Sequence, residues 1–216
     1  MSESNRDAGE VSHRRGFFGR IAAASAVGLF GFAANSAEAQ TAAGDGPDWP
    51  GALKSRHKQL FDVYGVFDGF PLGFANNFLA PNQSATAVLI FRHQGIPLAL
   101  NSAMWAKYRL GEAFKVTDPE TKALAVKNPW FEPKPGALGN PDIALDRLLA
   151  KGSVFGACGV ALRGQARRLA AGAGITPDDA FKEWAANLIP GTTILPSGTW
   201  GVNRAQEAGC TYCGGG

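Results

Sequence analysis

The sequence predicts an α/β layered domain built on a mainly parallel sheet, and two observations carry that reading. Ala85–Phe91 (ATAVLIF) is a nearly continuous apolar run of strand length, the pattern of a strand buried on both faces. Short apolar segments at Ser153–Ala157 and Thr192–Leu195 then alternate with stretches of helical spacing. Such alternation belongs to crossover units around a parallel sheet. A hydrophobic fraction of 45% with 18% charged residues suits an ordinary packed globular chain. The net charge is +3 without any basic run, which does not point to nucleic acid.

The elements follow in chain order. Residues 40–54, rich in Gly, Pro and Asp, read as a flexible linker, and the domain spans 55–208. His57–Phe67 carries β-branched and aromatic residues and reads as a strand, turned by Asp68-Gly69. Leu72–Ala80 is a helix closed by Pro81-Asn82. Arg92-His93-Gln94-Gly95 ends the apolar strand, and Pro97 opens a helix through Leu110 that spaces Leu98, Met104, Trp105 and Tyr108 on one side. Asp118 is placed to cap a second helical piece, with Pro119 in its first turn. Lys127–Pro141 holds four prolines and reads as a long surface loop. Asp142–Ala150 is helical; Ser153–Ala157 is a strand that runs into Cys158-Gly159 and a helix over Val160–Ala171. Thr176 caps the next helix, with Asp178 and Asp179 in its first turn. Thr192–Leu195 is a short buried strand, Pro196-Ser197-Gly198 turns the chain, and a last helix runs through Glu207. Residues 209–216 form a Cys/Gly-rich tail.

The first 39 residues have a different character. Arg14-Arg15 precede an Ala/Gly-rich apolar run, Ile21–Ala34, which ends at Ala37-Glu38-Ala39, a small-residue exit of the kind signal peptidase accepts. The run is shorter than the roughly 20 residues needed to span a bilayer. The arginine pair resembles the twin-arginine export signal, with His13 where that pattern prefers Ser or Thr. This resemblance implies folding in the cytoplasm, handling by the twin-arginine export machinery and a periplasmic mature protein with no stable membrane span.

Cys158 is the sharpest chemical candidate. It sits where an apolar strand gives way to a helix, and open α/β sheets bind ligands beyond the carboxyl ends of their strands. A thiol there faces helix amides whose partial positive charge favours a thiolate. The plainer reading is a buried cysteine acting as a small hydrophobe. Arg92 and His93 follow the most buried strand and so share that edge if the strands are parallel. Arg92 is suited to hold an anionic sulfur species and His93 to shuttle a proton. A loop histidine satisfied by a backbone carbonyl is the plainer alternative.

Cys210-Thr211-Tyr212-Cys213 is a C-x-x-C pair at the end of the chain. A disulfide or redox dithiol, metal ligation or no role all remain open for it; no His follows as covalent haem attachment would require. Trp105, Tyr108 and Trp130 suit either a pocket lining or the core. No Walker-type loop, G-x-S-x-G or H-E-x-x-H occurs.

Ala157-Cys158-Gly159-Val160-Ala161-Leu162-Arg163-Gly164, then Asn187-Leu188-Ile189-Pro190-Gly191 and Leu195-Pro196-Ser197-Gly198, resemble the DsrE/DsrF-like family of sulfur-relay proteins. The resemblance covers roughly His57 to Gln206 and implies a three-layer α/β/α sandwich that oligomerises. It also implies that Cys158 carries sulfur as a persulfide; on this chain Cys210 and Cys213 are the candidate resolving or redox thiols. The export signal, the Pro-rich loop and the terminal cysteine pair depart from the family pattern. The expected function is therefore sulfane-sulfur binding or transfer, or thiol redox chemistry, at Cys158, with a sulfur donor or acceptor as partner and no cofactor. The competing expectation is a non-catalytic small-molecule or metal-binding module. It would have a pocket lined by Arg92, Trp105 and Trp130, with loop 127–141 as lid. A homo-oligomer would use an apolar patch bearing Trp105, Tyr108, Phe181 and Trp184.

Overall fold

The computed structural model describes residues 49, 51, 53–82 and 84–215. The leader and most of the linker lie outside the described residues. Five strands form one sheet: β1 (Lys58–Val63), β2 (Thr86–Phe91), β3 (Val154–Cys158), β4 (Thr192–Leu195) and β5 (Thr211–Gly214). All pairings are parallel, in the order β4-β3-β2-β1-β5. The helices are α1 (Phe70–Leu79), α2 (Ser102–Lys107), α3 (Leu110–Ala113), α4 (Leu145–Ala150), α5 (Gly159–Ala170), α6 (Pro177–Ala186) and α7 (Gly198–Glu207).

Side chains alternate across the sheet and build a core on each face. Phe61, Val63, Leu89, Phe91 and Phe155 pack with residues of α1 through α6, including Leu72, Trp105, Leu148, Leu162 and Trp184. On the opposite face Leu60, Val88, Ile90 and Leu195 pack with Ala205 of α7 and with Trp49, Leu53 and Cys210. The result is a three-layer α/β/α sandwich.

Chain direction decides which helix goes where. From β1 to β4 each strand is laid beside the last in one direction, and the connecting helices share one face. From β4 the chain returns across the whole sheet to β5, beyond β1. Crossovers between parallel strands are right-handed, so reversing direction moves the connecting helix, α7, to the other face.

Several local expectations change. The helix expected over Leu98–Leu110 is interrupted: a 3-10 turn covers His93–Ala99, and Asn101 caps α2 by accepting from the Met104 amide at 3.2 Å. Arg109 then adopts a left-handed conformation (φ 51°) that divides α2 from α3. No helix follows Asp118. Its carboxylate accepts from the amides of Glu120 and Thr121 at 2.8 and 3.0 Å, closing a turn, while the chain folds back through a Thr117–Leu124 bridge. The Pro-rich segment is anchored at its start, while most of residues 132–141 are exposed as a surface loop. Asn128 and Trp130 are buried, and Asn128 donates to the Leu98 and Leu100 carbonyls at 3.2 and 2.9 Å.

The terminal segment also differs from a simple tail, because Thr211–Gly214 is the edge strand beside β1. Trp105, Tyr108 and Trp184 are buried in the core, so the apolar patch expected on their helices is absent. The exposed aromatics are instead Tyr64, Phe67, Phe70, Phe74 and Tyr212.

One close approach holds the turn after β2 against β1. A Cβ on Gly95 would collide with the Val63 carbonyl. Gly95→Ala is expected to lower stability by about 1–3 kcal/mol through overpacking against rigid backbone. Denaturant unfolding measures this; an unchanged midpoint would contradict the packing.

Candidate functional site

The change of face that separates α7 from the other described helices places a topological switch point in the sheet. β3 and β4 are neighbours, yet β3 leads into α5 on one face and β4 into α7 on the other. Adjacent strands whose connections diverge in this way open a binding position at their carboxyl ends. Cys158, opposite Leu195 in the register, marks that point.

Cys158 is the N-cap of α5. Its Sγ accepts a hydrogen bond from the Ala161 amide at 3.3 Å, so the sulfur occupies the anion-favouring end of a 12-residue helix. Beyond the end of neighbouring β4, Ser197 caps α7, its Oγ accepting from the Trp200 amide at 3.1 Å. Ser197 was visible in the sequence only as a turn residue; its strand–Pro-Ser-Gly–helix setting is the N-cap signal. Two helix N-termini thus flank one point. Cys158 is 7% exposed, while Val160 and Ile194 on either side are 57% and 37% exposed.

Arg92 reaches the same point. A Cβ on Gly198 would lie 2.8 Å from Arg92 Cδ and 3.3 Å from Cys158 Cβ, so the arginine stem and the cysteine meet across a glycine. The arginine head is engaged elsewhere. Nε and Nη2 donate to the two carboxylate oxygens of Asp62 at 2.5 and 2.7 Å. This bidentate pair orients the guanidinium but leaves less of it for a ligand. Asp62 is 5% exposed and also accepts from the Tyr212 hydroxyl at 3.0 Å. The Asp62 hydrogen bond raises the Arg92 pKa further, against the opposing effect of burial. Burial first, and then the bond to Asp62, push the Tyr212 phenol up.

His93 is not joined to Cys158 by any hydrogen bond among the described residues. Its ring stacks on Tyr64 at 4.4 Å, and Arg92 lies 5.0 Å from the same Tyr64 ring centre. His93 also lines a cleft with Phe114, Lys115, Gln165 and Arg168. Of the two edge residues singled out from the sequence, Arg92 thus meets Cys158 and His93 faces a different group of side chains.

The terminal cysteines are separated from one another. Cys210 packs into the core on the α7 face, whereas Cys213 packs against the opposite core. All three cysteines are free thiols. Burial pushes the Cys210 thiol up, with Lys58 partly offsetting it. Cys213 lies on β5 and Cys158 on β3, three strand spacings apart in the order β3-β2-β1-β5. At about 4.8 Å per spacing that is about 14 Å, well beyond the roughly 7 Å limit on Cα separation for a disulfide. Among the described residues no cluster of three or more His, Cys, Asp or Glu side chains is placed to hold a metal.

The pocket expected from Arg92, Trp105 and Trp130 does not form. The Trp105 indole donates to the Pro97 carbonyl at 2.9 Å inside the core, and Trp130 is likewise buried. Trp105 instead touches a cleft of about 280 Å³ with Arg109, Glu112, Leu124 and Val126.

Removing the Asp62 carboxylate strands Arg92 and frees Tyr212. Asp62→Ala is expected to cost about 2–3 kcal/mol, less than the 3–5 typical of a fully buried pair because part of Arg92 is in solvent. Chemical denaturation measures that loss; an effect below about 0.5 kcal/mol would mean the pair is not structural. No family model matches the chain, and no curated protein matches it.

Proposed function

We propose that this chain binds and passes on sulfane sulfur through Cys158, as an exported sulfur carrier of DsrE-like type. The supporting observation is the position of the Cys158 sulfur. It accepts a helix amide at the divergence of β3 and β4, with a second helix N-terminus and the Arg92 stem beside it.

The chemistry is thiol exchange on sulfur. The Cys158 thiolate attacks the terminal sulfur of a persulfide donor. The Sγ–S bond forms as the donor's S–S bond breaks, and the electron pair leaves on the donor thiolate. Sulfane sulfur moves without net oxidation or reduction. The α5 amides stabilise the anionic outer sulfur, and the transfer needs no cofactor. An acceptor thiol then attacks that outer sulfur and releases Cys158 as thiolate. Because Cys213 is on β5, three strand spacings from Cys158, and Cys210 immediately precedes that strand in the α7-side core, the acceptor thiol belongs to another molecule.

Incubation with a persulfide donor should add about 32 Da, one sulfur atom, to the protein, and Cys158→Ser should abolish the adduct. A Cys158→Ser protein that gains the adduct at wild-type level would remove Cys158 from the reaction. Accessibility separates carrier from binding module. The carrier reading expects Cys158 in the folded protein to be alkylated within minutes at neutral pH. Resistance for hours, with immediate reaction after denaturation, would favour the module.

The export part of the proposal rests on Arg14-Arg15 and the Ala37-Glu38-Ala39 exit. Fractionation of the native host should place a mature form beginning at Gln40 in the periplasm. Arg14→Lys with Arg15→Lys should hold the precursor in the cytoplasm. Normal export of that double variant would overturn the assignment.

A further inference from the structure

A second concave site lies beside the 3-10 turn that follows β2. His93 and Gln94 form one wall, Phe114 and Lys115 at the end of α3 another, and Gln165 and Arg168 of α5 the third. The cleft measures about 350 Å³, at the low end of the roughly 300–1,000 Å³ of small-molecule pockets.

Its charge is unbalanced. Lys115 and Arg168 both line it, no Asp or Glu does, and neither cation belongs to an ion pair among the described residues. Lys115 and Arg168 are both solvent-exposed, and two like charges on one concave surface repel each other.

The arginine is held in place without its charge being neutralised. Arg168 Nε donates to Gln165 Oε1 at 2.8 Å, and the guanidinium carbon lies 5.2 Å from the Phe114 ring centre. Neither contact uses the Nη groups, which remain as donors on a fork of fixed orientation. His93 and Lys115 both adopt left-handed backbone, at φ 50° and 54°. Five other described non-glycine residues outside the cleft share that conformation, so it sets the chain direction at the two positions and is no mark of a site.

We propose that this cleft binds a small anionic molecule by a terminal phosphate, sulfate or carboxylate group, with Arg168 and Lys115 as the charged contacts and Gln94, Gln165 and His93 as polar ones. The site is distinct from Cys158 and does not rest on sulfur transfer.

The test is NMR titration of the folded protein at low salt with inorganic phosphate, sulfate and succinate. Saturable shifts confined to residues around His93, Lys115 and Arg168 are expected with at least one probe, and the preferred probe identifies the group. Lys115→Gln with Arg168→Gln should weaken that binding at least about tenfold, while Lys122→Gln with Lys134→Gln, the same charge change elsewhere, should not. Cys158→Ser should bind as the unaltered protein does, which keeps this result separate from the persulfide experiment. Absence of saturable shifts with all three probes, or equal weakening in both double variants, would overturn the proposal.

Discussion

The handedness of parallel crossovers is the constraint on which the rest of this molecule depends. Four strands laid in one direction force their connections onto one face, and the single return stroke to β5 forces α7 onto the other. No residue beside Cys158 had to be chosen for the switch point to exist. It follows from the strand order, because β3 and β4 are neighbours whose exits diverge. What the local sequence adds is the content of that opening: a cysteine and a serine at the two N-cap positions, and a glycine small enough for Arg92 to approach.

The part-buried Asp62–Arg92 pair ties three strands together at the same edge. Asp62 belongs to β1, Arg92 follows β2, and Tyr212 is in β5. Held along its Nε–Nη2 edge by the two carboxylate oxygens, the guanidinium is better suited to shaping the wall beside Cys158 than to gripping a ligand with that edge. His93, next in sequence, leaves that wall through a left-handed turn and joins the cationic cleft. One dipeptide after β2 thus serves two different concavities.

Much of this was legible in the sequence. The buried strand over Ala85–Phe91, the Thr176 cap and the strand-to-helix junction at Cys158 depend on local periodicity and capping chemistry, and they appear where local rules put them. The failures share a different cause. Trp105 and Tyr108 have a spacing that fits an interface as well as a core, and only tertiary packing chooses the core. Asp118 has the chemistry of a helix cap, but its carboxylate closes a turn instead, because the following residues return to pair with Thr117. The Cys210–Cys213 spacing suggests a working pair, yet β5 places the two thiols in the cores of opposite faces. Nothing local in Arg92 announces Asp62 as its partner, 30 residues earlier in the chain.

The pairing of β5 with β1 bears on when the fold can be completed. Asp62 and Tyr212 are 150 residues apart, and the edge of β1 stays open until Thr211–Gly214 have been synthesised. Contacts of such long sequence separation form late and slowly. During synthesis a β1–β4 intermediate would expose the β1 edge and leave the Asp62 carboxylate without its tyrosine, the condition in which unpaired strands stick to other chains. A chain lacking Thr211–Gly214 would remain in that state permanently, with every described helix already made.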